Sequence, residues 1–255
     1  MQLYLAVTPG DARKAAQFGK ALAHVAYRIG PGSTLLRQDL PLQSRGGILS
    51  VSDREAPKIG DPEALCAAVL RECGRRGYGG AVLDFEEPPR QDRLTFAQKL
   101  GSALAAGRRT LYLPESYAQA AGGSAAVLLC TAISGGNFIQ RLREAAEAYG
   151  GAANLALDVQ RLRMDFRLPA HSGEGEPLDA ERFQRLMERK TPSVFFSQEL
   201  CARYFTYVRD GQAHFVLFDD AGTLKQKLRS GASMGFSAAF LMWPEIKDIA
   251  GELFG

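Results

Sequence analysis

The chain is poor in the residues that mark metal, redox or nucleotide chemistry. Its 255 residues include four cysteines, three histidines and one tryptophan. Cys66 and Cys73 are the nearest pair of thiols, and their spacing fits neither a zinc ribbon nor a redox pair. With Cys130 and Cys201 they read as reduced core thiols. His24, His171 and His214 are far apart, with no metal-ligand spacing and no Ser or Cys nucleophile motif beside them. The Gly-rich stretches lack the Lys-Ser or Lys-Thr ending of a phosphate loop and lack the dinucleotide fingerprint. No cofactor and no metal is implied. No apolar run reaches membrane-spanning length, so no membrane partner is expected. Met1 leads at once into the strand-like Gln2-Leu3-Tyr4-Leu5-Ala6-Val7, without a charged leader or a small-residue cleavage site. The expectation is a cytoplasmic chain, with spore or envelope association requiring a route other than a signal. The formal charge is +3, but Lys and Arg are scattered among Asp and Glu and form no stripe with interleaved aromatics, so nucleic acid is not an expected partner.

What the chain has is hydrophobic content, at 46%, and a regular alternation of short apolar runs with helical patterns. Eight candidate strands follow one another: Leu3 to Val7, His24 to Arg28, Gly47 to Val51, Gly80 to Phe85, Thr110 to Leu113, Ala126 to Thr131, Asn154 to Val159 and Ala238 to Trp243. Between them, Asp61-Pro62 opens a helix through Arg75 that Gly77 closes. Asp acts as the N-cap acceptor, and Pro sits where its missing N–H costs nothing. Asp92 opens a second helix ended by Gly107, and Gly135-Gly136-Asn137 leads into a third, Phe138 to Tyr149, stopped by Gly150-Gly151. Regular βα alternation forces a parallel sheet, and eight units over this length favour an α/β fold of the (β/α)8 TIM-barrel type, a single domain over residues 1–255. An open doubly wound sheet is the alternative.

The interval 160–237, between the seventh and eighth strands, is too long for an ordinary crossover and predicts a small α+β insertion. Leu178-Asp179-Ala180-Glu181 starts a helix with apolar Phe183, Leu186 and Met187, followed by Ser193-Val194-Phe195-Phe196. Tyr204 to Val208, a turn at Asp210-Gly211, and Ala213 to Phe218 read as a hairpin. Ala221 to Gly235 is then the last crossover helix.

Side chains two apart on a strand share a face, so Asp84 and Glu86 point together at the C-terminal end of the fourth strand. That end is where barrel enzymes place their chemistry, and carboxylates avoid barrel cores unless they work or are paired. One carboxyl kept protonated can deliver a proton while a second, ionised, steadies positive charge. The structural alternative is a buried pair accepting hydrogen bonds from nearby loops, and a third reading makes the two carboxylates metal ligands. Asp158 and Gln160, at the end of the seventh strand, share a face and can hydrogen-bond hydroxyls. Tyr27 and Tyr112 are candidates where their side chains face inward. Ser134, ahead of Gly135-Gly136, sits where a helix N-terminus could hold an anion or where a tight turn simply needs glycine.

The segment Tyr78-Gly79-Gly80-Ala81-Val82-Leu83-Asp84-Phe85-Glu86 resembles the fourth-strand signature of glycoside hydrolase family 18, Asp-x-x-Asp-x-Asp-x-Glu, and its closest flavour is the spore cortex-lytic branch. Downstream, Tyr204-Phe205-Thr206-Tyr207, Asp210-Gly211, His214 to Asp220 and Lys225-Gln226-Lys227-Leu228 resemble that branch's hairpin and final crossover helix, and Gly235-Phe236 with the strand ending at Trp243 resembles its last strand. The resemblance implies that Glu86 is the general acid, that Asp84 orients the substrate's 2-acetamido group, which serves as nucleophile, and that Trp243 forms the floor on which a sugar ring stacks. It also implies a partner, an N-acetylglucosamine-containing oligosaccharide or polysaccharide such as peptidoglycan or a chitin-like glycan. The family's first two aspartates fall on Gly79 and Val82, and its sixth-strand Tyr-Asp pair is missing from Leu129-Cys130-Thr131-Ala132-Ile133-Ser134-Gly135-Gly136. Two functions of different class follow: a substrate-assisted retaining glycosidase, or a barrel that binds glycan or a protein partner without cleavage.

Overall fold

A computed structural model describes residues 1–38, 45–170 and 175–255; His171 lies outside the described residues. In chain order, β1 (Gln2–Val7) leads through a short helix, α1 (Ala12–Ala16), into β2 (Ala21–Gly30), which folds back as β3 (Thr34–Arg37) before β4 (Ile48–Ser52). Helix α2 (Pro62–Arg76) precedes β5 (Gly80–Asp84), α3 (Gln91–Ala106) precedes β6 (Thr110–Pro114), a 3₁₀ stretch (Glu115–Ala120) precedes β7 (Ala125–Cys130), and α4 (Phe138–Ala148) precedes β8 (Leu155–Val159). There follow β9 (Arg163–Arg167), β10 (Glu176–Pro177), α5 (Ala180–Lys190), β11 (Phe195–Ser197), β12 (Ala202–Arg209) and β13 (Gln212–Phe218). Last come α6 (Ala221–Met234), β14 (Ala238–Met242), α7 (Trp243–Ile246) and α8 (Ala250–Phe254).

Strands β1, β14, β8, β7, β6, β5, β4 and β2 pair in that order, all parallel, and β2 pairs with β1 to close the ring. The closed eight-stranded barrel is the expected fold, and the open sheet is excluded. The alternation is less regular than expected. Strand β3 runs antiparallel to β2, with Tyr27 opposite Arg37. Residues 115–124, between β6 and β7, are too few for a full crossover helix and carry a 3₁₀ stretch instead. Helix α3 starts at Gln91, with Arg90 rather than Asp92 at its cap. Asp92 instead accepts the Ile59 N–H at 2.8 Å, which fixes the loop after β4.

The barrel interior is filled by small residues facing large ones. Ala6, Ala23, Ala126, Ala156 and Ala238 leave room for Tyr4, Tyr112 and Phe240. The Phe240 ring lies 4.8 Å from that of Tyr112 and 4.9 Å from that of Tyr4, so the barrel is a packed core beneath an open mouth. Glycine is required where the strands crowd: a Cβ on Gly80 would lie 2.0 Å from the Thr110 carbonyl oxygen of the neighbouring strand. Helices pack on the outer face through residues of opposite parity. One group includes Leu49, Leu83 and Phe96, the other Leu157, Leu241 and Trp243.

Between β8 and β14 a second, antiparallel sheet forms in the order β10, β9, β13, β12, β11. The expected hairpin is β12 and β13, with Arg209 opposite Gln212; Asp210 (φ 53°) and Gly211 (φ 75°) take the left-handed conformations a two-residue turn demands. Helix α5 covers one face through Phe183, Leu186 and Met187, against Phe205, Tyr207, Val216 and Phe218. Asp219 ties the beginning of this region to α6: it accepts from Lys227 Nζ at 2.8 Å, from the Leu162 N–H at 3.0 Å and from the Thr223 hydroxyl at 2.8 Å, with Lys227 and Asp219 both sealed from water.

Candidate active site

The inward parity of β5 runs through Val82 to Asp84, and the chain then turns sharply at Glu87-Pro88-Pro89. Phe85 points outward into the packing of Phe96 and Tyr117, with its ring 5.2 Å from that of Tyr117. The Tyr117 hydroxyl donates to the carbonyls of Glu87 and Pro88 at 3.1 and 3.3 Å, pinning the turn. Asp84 and Glu86 consequently line one cavity of about 300 Å³ at the barrel mouth.

A residue that the sequence reading passed over holds Glu86 in place. Asp53, buried directly after β4, accepts the Glu86 backbone N–H at 2.9 Å. Its other oxygen lies 3.0 Å from Arg93 Nε of α3, both side chains closed to solvent. That N–H is not aimed along the contact, so the attraction is Coulombic rather than an aligned hydrogen bond. The sequence signal was an acid just past an apolar strand end, Val51-Ser52-Asp53, at the rim where βα loops gather.

The same cavity is lined by Glu115, Cys130, Asp158, Gln160 and Met242. Burial is the main cause that pushes the Asp84 carboxyl above the usual range, followed by the charges of Glu86 and Asp53, although the residue as a whole is exposed at the mouth. Asp158, half-buried on β8, is pushed up to about 6 by burial; the Gln160 amide, donating at 2.7 Å, opposes this, and the charges of Glu245 and Asp84 add to it. Asp84 and Asp158 therefore feel each other across the mouth. Glu115 is held at 2.7 Å by Arg141 of α4.

Three sequence-derived candidates lie elsewhere. Trp243 is buried between barrel and outer helices, with its ring 5.5 Å from Phe18. Phe240 and Met242 carry the inward parity of β14, so the residue after them must face out, and Met242 occupies the mouth position expected for the tryptophan. Tyr27 faces outward: its hydroxyl donates to Glu72 of α2 at 2.9 Å and lies 3.1 Å from the Tyr78 hydroxyl. Ser134 is exposed on the loop after β7 and does not line the cavity. Tyr112 does face inward, but as buried core below the mouth. His24 is buried with Nε2 3.2 Å from the Gly46 carbonyl, and His214 stands across the hairpin from Tyr207, with ring centroids 4.7 Å apart. Among the described residues no group of three or more His, Cys, Asp or Glu is placed to hold a metal ion, and no helix is long and apolar enough to cross a membrane.

Fold and mouth together define a TIM barrel with carboxylates on the rims of its fourth, fifth and seventh barrel strands, β5, β6 and β8. No family model matches the chain, and no curated protein matches it. Solved structures do match over nearly the whole length. The chitinase of Chromobacterium violaceum superposes with a TM-score of 0.73 at 16% identity, over 99% of this chain and 98% of that one. A glycoside hydrolase family 18 N-acetylglucosaminidase from Paenibacillus barengoltzii gives 0.72 at 12% identity, over 99% and 98%. The spore cortex-lytic enzyme SleL of Bacillus megaterium gives 0.69 at 14% identity, over 100% of this chain and 74% of that one. At these identities the likeness is one of fold, and at that level the resemblance read from the sequence is borne out.

Proposed function

We propose that this chain is a glycoside hydrolase family 18-like enzyme that cleaves an N-acetylglucosamine-containing glycan, peptidoglycan or chitin-like, by substrate-assisted retaining hydrolysis. The observation that carries the proposal is the Asp84 and Glu86 pair in one barrel-mouth cavity, on the strand whose sequence resembles the family's catalytic segment. Glu86, at the water-exposed edge, protonates the glycosidic oxygen as the bond breaks. The acetamido carbonyl of the same sugar attacks the anomeric carbon, and Asp84 orients the acetamide and steadies the positive charge that develops on it. No protein nucleophile is needed, so two carboxylates flanking the bond are not required. Asp84 must be ionised for this role. Because burial and neighbouring charges raise its pKa, the acidic limb of the activity profile lies above the ordinary carboxylate range. Asp158 and Gln160 supply hydrogen bonds to sugar hydroxyls from the opposite rim. A spore or envelope setting belongs to the same proposal, supported by the cortex-lytic neighbours.

A second reading, a barrel that binds glycan without cleaving it, is favoured by two observations: apolar Val82 lies beneath Asp84, and Met242 stands where an aromatic floor was expected. The two readings separate on purified N-acetylglucosamine oligomers and peptidoglycan fragments. Product release by wild type that is lost in Glu86→Gln supports the enzyme, whereas binding without product in both proteins supports the binder.

A further inference from the structure

The sheet face that α5 covers changes character along its length. Alternation places Phe205, Tyr207 and Arg209 of β12 on that face, with Asp165 and Arg167 of β9 and with His214, Val216 and Phe218 of β13. Phe205, Val216 and Phe218 are sealed beneath α5. Beyond them, between α5 and the hairpin, a concavity of about 360 Å³ opens. It is lined by Arg182, Arg185, Arg189 and Lys190 of the helix and by Arg209 of the strand, and among the described residues the one acid in its lining is Asp165.

Asp165 forms no ion pair with an arginine or lysine of this cluster among the described residues, although its charge acts on Arg182 through space. Its two oxygens are taken up by the Tyr207 hydroxyl, at 2.6 Å, and His214 Nδ1, at 3.0 Å. Glu176, Glu181 and Asp210 pair with Arg182, Arg185 and Arg209 from outside the lining, through side chains that are themselves largely in water. Such exposed pairs contribute little and exchange readily for a stronger anion. Arg189 and Lys190 suit the C-terminal end of a helix dipole, which explains those two alone. Arg182, Arg185 and Arg189 lie on one side of the helix over two turns, about 10 Å of rise, and Arg209 faces them from the sheet. Guanidinium forks arranged in this way match oxygens grouped on successive phosphates better than one isolated carboxylate.

We propose that this basic concavity of the insertion binds a ligand carrying several phosphate groups in series, at a site separate from the acidic barrel mouth. The charge of the two sites supports the division of labour: the mouth is lined by Asp84, Glu86, Glu115 and Asp158, whereas the concavity between α5 and the hairpin gathers four arginines and a lysine. The site rests on its own residues and stands whether or not the barrel cleaves glycan.

The test is calorimetric titration of the whole chain with inorganic phosphate, tripolyphosphate, long-chain polyphosphate and poly-glutamate. A double variant, Arg185→Glu with Arg189→Glu, is compared with a control, Arg143→Glu, on the exposed face of α4. All the altered side chains are exposed, and circular dichroism verifies that the variants fold. The expected result is that tripolyphosphate binds more tightly than inorganic phosphate, that affinity falls as salt is added, and that the double variant loses at least about tenfold while the control does not. Tighter binding of the long chain than of tripolyphosphate identifies a polymer as the source, and equal binding identifies a small oligophosphate. No binding of either, binding equal in wild type and double variant, or poly-glutamate bound as well as tripolyphosphate would overturn the proposal.

Discussion

Replacing Asp158 with Asn removes a carboxyl that the fold holds away from its preferred state. In the unfolded chain this group ionises near its ordinary 3.8, whereas in the folded protein burial lifts it to about 6. Between those values the native state keeps a proton that the unfolded state has lost, so wild-type stability falls as pH rises through the window, and the full penalty is present above about 6. At about 1.4 kcal/mol per pKa unit the ceiling is about 3 kcal/mol. Water in the open mouth screens part of this, and a stabilisation of about 1–2 kcal/mol is expected for the variant at neutral pH, with none in acid. Asn keeps an oxygen to accept from Gln160, so the comparison isolates the charge. Urea unfolding of both proteins at several pH values between about 4 and 8 is the assay. A difference that does not change with pH, or a wild type that gains on the variant as pH rises, would refute the assignment of Asp158 as a half-buried acid opposite Asp84.

Other substitutions separate packing from chemistry. Trp243→Ala is expected to cost about 3–5 kcal/mol by thermal or urea unfolding, because it empties a buried site, yet to leave glycan affinity intact at temperatures where the variant is folded. Met242→Trp, by contrast, is expected to strengthen oligosaccharide binding in titration calorimetry by placing a ring in the mouth. Arg93→Met strands the buried Asp53 carboxylate that holds the Glu86 backbone, with an expected loss of about 3–5 kcal/mol; where the variant folds, kcat is expected to fall with little change in KM. Lys227→Met leaves the buried Asp219 without its cation, and a destabilisation of similar size is expected.

Most of the barrel was legible because its signals are local. Each strand is a short apolar run, and the caps at Asp61, Asn137, Asp179 and Asp220 all accept from a backbone N–H of their helix's first turn. Asp92 misled because an acid near a helix start resembles a cap, while its real partner, the Ile59 N–H, lies in a distant loop. The position of Asp84 was readable from period-two alternation. Trp243 was not, although the same alternation applies: the strand stops at Met242, and the resemblance drew the tryptophan inward against the parity of Phe240. Tyr27 failed for a different reason: Val25 faces the barrel interior, and a register shift between Val25 and Tyr27 turns Tyr27 outward to Glu72 of α2 against simple alternation. Asp53 and Glu115 follow β4 and β6, the strands on either side of β5; the sequence marks each as an acid just past a strand end, but only the strand pairing brings them to Asp84 and Glu86.

The central claim is that Glu86 delivers the proton that breaks a glycosidic bond at the barrel mouth. The direct measurement is kcat/KM for a fluorogenic N-acetylglucosamine oligomer with wild type and Glu86→Gln, a substitution that keeps the size of the side chain and removes its exchangeable acid. The account predicts turnover by wild type and a loss of at least about a hundredfold in the variant, the usual contribution of a positioned general acid. Equal rates in the two proteins, or no turnover by wild type on any N-acetylated substrate, would contradict it.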